Sequence, residues 1–62
     1  MAFTRNEVFT KGESILDYPC DMGGSNNAIE HVVEYEGEKY FIQTNWDGEV
    51  LEPNELARIA KD

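Results

Sequence analysis

Residues 29–45 read IEHVVEYEGEKYFIQTN, and this stretch decides the fold. Val, Ile, Tyr and Phe dominate it, with a single glycine near its centre, the pattern of two strands joined by a tight turn. With Glu36-Gly37 as the whole loop, Tyr35 opposes Glu38, Glu34 opposes Lys39, Val33 opposes Tyr40, Val32 opposes Phe41 and His31 opposes Ile42. Because side chains alternate along a strand, one face collects Ile29, His31, Val33, Tyr35, Tyr40 and Ile42. The other collects Glu30, Val32, Glu34, Lys39, Phe41 and Gln43. The first is a core face. The second is a solvent face with a Val32–Phe41 apolar patch and an opposite-charge Glu34–Lys39 pair. A bulged turn on Gly37 would slip the pairing by one residue. The charge match selects the two-residue loop.

Towards the C-terminus, Asp47-Gly48 suits the positive φ angles of a type I′ turn, which folds Glu49, Val50 and Leu51 back beside Thr44 and Asn45. A helix is expected next. Pro53 fits a first helical position, and Glu55 suits the positive end of the dipole. Leu51 and Leu56 stand in staple relationship across Glu52. Leu56, Ile59 and Ala60 then share a face, with Arg58 and Lys61 near the end. Towards the N-terminus, Val8-Phe9-Thr10 and Ser14-Ile15-Leu16 flank Lys11-Gly12-Glu13 as a further hairpin, which Pro19 ends. Residues 21–27, DMGGSNN, are a loop by composition. The expected fold is α+β: one small domain over residues 1–62, an antiparallel sheet of four to five strands with a C-terminal helix packed on a face.

Length and charge bound the function. The chain has 62 residues, 13 of them acidic against five Lys or Arg, for a formal charge of −8. It is near the lower limit for a self-sufficient hydrophobic core, so self-association as a homodimer is expected to add burial. A nucleic-acid reader needs clustered cations, so direct nucleic-acid binding is not expected, and neither is docking on anionic membranes. The first ten residues hold no apolar run of a signal peptide, and no span long enough for a membrane follows. One cysteine, Cys20, makes no internal disulfide, which suits a reducing cytoplasm.

Candidate chemistry is sparse. His31 is the only histidine, and its expected neighbours are apolar or tyrosine. Asp21 beside Cys20 raises a thiol's pKa, the wrong direction for a nucleophile. Gln43-x-Asn45-x-Asp47-Gly48 imitates a calcium loop, but Gln43 and Asn54 fall where the charged ligands belong. One Cys and one His do not make a zinc site. Gly23-Gly24-Ser25 lacks the lysine and the context of a phosphate loop. No enzyme, metal or cofactor is expected.

Charge is what remains. Residues 1–29 carry −2 and residues 30–62 carry −6. The candidate interaction surface is Glu30, Val32, Glu34, Glu36, Glu38, Phe41, Trp46, Asp47 and Glu49. The leading expectation is a non-catalytic interaction or regulatory domain acting through a sheet face or strand edge on a protein partner. The alternative is an inhibitor whose carboxylates imitate nucleic-acid phosphates in the groove of a basic protein. A third is a ligand-binding or enzymatic site at a dimer interface around His31, Cys20 and Tyr18.

Overall fold

A computed structural model describes residues 2–22 and 26–60, with backbone alone at 20–22 and 26–27. Of the loop expected over residues 21–27, residues 23–25 lie outside the described residues, and residues 21–22 and 26–27 are strand rather than loop. The elements are a helix α1 (Arg5–Lys11) and strands β1 (Glu13–Met22), β2 (Asn26–Tyr35), β3 (Glu38–Thr44) and β4 (Arg58–Ile59). The strands pair antiparallel in the order β1-β2-β3-β4, a simple meander.

The central hairpin follows its sequence. Val33 stands opposite Tyr40, Val32 opposite Phe41 and Glu34 opposite Lys39, in the two-residue-loop register. Glu36 and Gly37 both adopt positive φ, 52° and 81°, as a type I′ turn requires. Glu34 and Lys39 are neighbours without an ion pair between them. Val33, Tyr40 and Ile42 are buried, and so form the floor of the core.

What covers that floor differs from expectation. Among the described residues there is no C-terminal helix; the helix is N-terminal and lies over residues whose sequence suggests a strand and turn. The cause is local. Thr4 caps α1 by accepting a hydrogen bond on Oγ1 from the Glu7 N–H at 3.2 Å. Phe3 before the cap and Val8 in the second turn flank it as a hydrophobic staple, and both pack into the core. Thr10 turns its hydroxyl onto the Asn6 carbonyl at 2.8 Å. Lys11 ends the helix, and the Gly12 N–H donates to Val8 O at 2.8 Å. Gly12 is therefore a helix cap leading into β1, not the centre of a hairpin turn.

The segment expected to be helical is held by other bonds. The Arg5 N–H donates to Glu55 O at 2.8 Å and the Asn6 N–H to Pro53 O at 3.2 Å. These are two of the donors that a helix N-terminus leaves without internal partners. Satisfying them takes the carbonyls a helix at 53–61 would have needed. Glu52 to Glu55 closes instead as a turn, with Glu52 at φ 53°. Leu56 bridges Thr4, Ala57 donates to Phe3 O at 2.8 Å, and Arg58–Ile59 pairs with β3. Leu51 and Leu56 are exposed rather than stapled.

Two further expectations change. Gly48 alone has positive φ at the 45–49 turn, and the Gly48 N–H donates to Asn45 O, giving a three-residue loop with a glycine bulge in place of type I′. Val50 still returns beside Thr44, as an isolated bridge. Pro19 does not end a strand; it lies within β1 opposite Ile29. A proline is tolerated there because β1 is an edge strand. Among the described residues, no helix is long and apolar enough to cross a membrane.

Candidate interaction surface

The two faces of the sheet are unequal. On one, α1 and the 45–57 segment close over the core: Val8, Val33, Tyr40 and Ile42 are buried, with Phe3, Phe9, Tyr35, Val50 and Ala57 packed around them. Phe3 meets Tyr35 edge-on at 4.8 Å. His31 lies on this side. Its Nε2 is 2.9 Å from the hydroxyl of buried Thr44, and its ring meets Phe9 at 4.9 Å. The tyrosine and apolar surroundings expected for His31 gain a hydroxyl partner.

The opposite face has no packed layer over its central rows among the described residues, although Ala28, which alternates with Glu30 and Val32, is buried. Residues paired across an antiparallel sheet point the same way, so the register places side chains in rows. One row crosses all four strands: Leu16, Val32, Phe41, Arg58. The next is Tyr18, Glu30, Gln43, and the one on the other side is Glu13, Glu34, Lys39. Leu16 is 56 % exposed, Tyr18 41 % and Phe41 38 %. The Gln43 amide donates to Glu30 Oε1 at 3.2 Å within its row.

At the β3–β4 corner of this face lies a cleft of about 230 Å³ lined by Arg5, Glu30, Phe41, Gln43 and Arg58. Arg5 is drawn into the gap by Glu52 at 2.8 Å and Glu55 at 3.4 Å. Arg58 has no such carboxylate among the described residues. Glu52 and Glu55 offset the charge of Arg5 and Glu30 lines the same cleft, so Arg58 is the guanidinium at this corner without an ion pair among the described residues. The β1 side of the same face carries Glu13, Glu30 and Glu34.

The residues picked from sequence divide. Glu30, Val32, Glu34 and Phe41 are together on the open face. Glu36 sits in the β2–β3 turn, and Glu38 is opposite Tyr35 on the helix side. Trp46, Asp47 and Glu49 are at the other end of β3, where Asn45 Oδ1 accepts from the N–H groups of both Asp47 and Glu49. Seven strand residues separate these ends, about 20 Å. The carboxylates thus form two terminal groups rather than one stripe. Tyr18 and His31 fall on opposite faces, since Asp17 rather than Tyr18 is opposite His31. The Cys20 side chain lies outside the described residues. No group of three or more His, Cys, Asp or Glu able to hold a metal occurs among those described.

Leu16, Tyr18 and Arg58 are absent from the interaction surface read from sequence, where Tyr18 figures only beside His31 and Cys20. A signal for the first two exists: Leu16, Tyr18 and Cys20 alternate with Asp17, Pro19 and Asp21 at period two. The bulge at Ile15 hides it by setting two apolar residues side by side. The chain matches no protein-family model, no curated protein and no solved structure.

Proposed function

We propose that this chain is a non-catalytic protein-interaction domain of the cytoplasm that binds through the open face of its sheet. The observation that carries the reading is the row Leu16–Val32–Phe41 on one face, with Leu16 and Phe41 exposed and Val32 half-buried between them, while the other face is closed over a core. Contiguous exposed apolar side chains within a polar rim are what binding surfaces present. The strand edges offer less. β1 carries a bulge after Ser14, a charge at Asp17 and Pro19, three devices that obstruct pairing with another strand. β4 is only two residues long. The face is therefore favoured over the edge. Mimicry of nucleic acid has weaker support, because the carboxylates it would align are split between the ends of β3.

The test is a binding comparison. Phe41→Glu and Leu16→Glu are expected to abolish the complex formed by the unmodified chain, while Asp47→Lys and Glu36→Lys, at exposed turn positions, retain it. A complex that survives both face changes and is lost with either turn change would overturn the reading.

A further inference from the structure

We infer that the occupant of the open face is a second copy of this chain, seated face to face about a two-fold axis parallel to the strands and passing between β2 and β3. This rests on the open face being the binding surface.

The argument is charge arrangement. The face is acidic at its β1–β2 side, through Glu13, Glu30 and Glu34. It is basic at its β3–β4 side through Lys39 and Arg58, Arg5 there being already paired with Glu52 and Glu55. A two-fold axis along the strands exchanges these sides. It sets Glu34 against the partner's Lys39, Val32 against the partner's Phe41, and Leu16 along the aliphatic stem of the partner's Arg58. It also carries the partner's Tyr18 to the corner cleft, where an aromatic ring would lie beside two guanidiniums. An axis across the strands fails, since it would oppose Glu34 to the partner's Glu30. The chosen axis gives two nearly aligned sheets, the ordinary packing of a β-sandwich.

Size agrees. The molecule measures 34 × 24 × 17 Å. Its broadest projection is on the order of 800 Å², so the open face can give at most about the share each partner contributes to a standard interface. The bodies carry −8 each, but Glu36, Glu38, Asp47, Glu49, Glu52 and Glu55 sit at the ends of β3 or on turns, off the paired rows.

The experiment is sedimentation of the full chain between micromolar and millimolar concentration, with circular dichroism to confirm that each variant folds. The unmodified chain is expected at twice 7.1 kDa. Glu34→Lys alone and Lys39→Glu alone are each expected to weaken the dimer by about tenfold or more, because like charges then face each other across the axis. An equimolar mixture of the two is expected to restore it as a heterodimer, which a purely intrachain Glu34–Lys39 effect would not do. Phe41→Glu is expected to leave a monomer. A strict monomer at millimolar concentration, or a mixture no tighter than its components, overturns the second-copy inference. If that monomer still loses a different partner on Phe41→Glu, the open-face reading stands. If a dimer forms that neither Phe41→Glu nor Leu16→Glu affects, both fall.

Discussion

Two glycines, Gly12 and Gly37, are needed for opposite reasons. A Cβ on Gly37 would meet nothing within 4 Å, but φ is +81°. Gly37→Ala should therefore cost only the backbone penalty of the left-handed region, about 1–2 kcal/mol. Gly12 has an ordinary φ of −84°. Its Cβ, however, would stand 2.5 Å from Val33 Cγ1, 2.6 Å from Val8 O and 2.9 Å from Glu34 O. Two of those atoms are backbone and cannot swing away. Gly12→Ala should separate α1 from β2 and cost about 3 kcal/mol, the upper end for overpacking. Thermal unfolding of the two variants checks the order; equal losses would contradict it. Tyr35 gives a pH dependence. Partial burial, then the hydrogen bond it donates to Glu7 Oε2 at 3.1 Å, and the charges of Glu7 and Glu36 raise its pKa above 10.0. The folded state thus holds this proton more tightly than the unfolded chain does. The associated stability is complete below pH 10 and is lost as pH rises through the folded pKa. Stability measured against Tyr35→Phe should show the advantage of the tyrosine shrinking above pH 10, alongside a late phenolate absorbance; a gap independent of pH would refute this.

At the scale of elements, α1 stands on its cap. Thr4→Ala should destabilise the chain by about 1 kcal/mol, with Thr4→Ser close to neutral, in urea unfolding. Thr4-x-x-Glu7 is a capping-box spacing, and it was legible. It is masked by Val8-Phe9-Thr10, which favours a strand by residue type, and a seven-residue helix shows hardly two turns of periodicity. The hairpin of β2 and β3 could be read to the residue, since its alternation, turn and charge pair all require one register. The 53–61 segment could not. Its Pro53 and Glu55 satisfy helix-start rules, yet its backbone is claimed by residues 3–6, which no local rule anticipates. The candidate surface was half legible for the same reason. Its β2 and β3 residues came with the hairpin, and its β1 and β4 residues depend on elements whose identity is set by distant partners.

For the whole molecule, the bonds joining residues 3–6 to residues 53–57 have a kinetic consequence. They close a loop of roughly fifty residues, and closure of a long loop is an entropic cost met before any contact repays it. The β2–β3 hairpin closes through two residues and can form much earlier. The clamp should therefore be absent from the folding transition state, while the hairpin core is already present. Arg5→Ala, which removes the bonds to Glu52 and Glu55, should accelerate unfolding and leave the folding rate nearly unchanged. Val33→Ala, in the hairpin core, should slow folding. Stopped-flow chevrons for the two variants test this, and a slower folding limb for Arg5→Ala would count against it. The lifetime of the native state is then governed by the clamp, and its rate of formation by the hairpin. The same fold can be made longer-lived at one place and quicker to assemble at another.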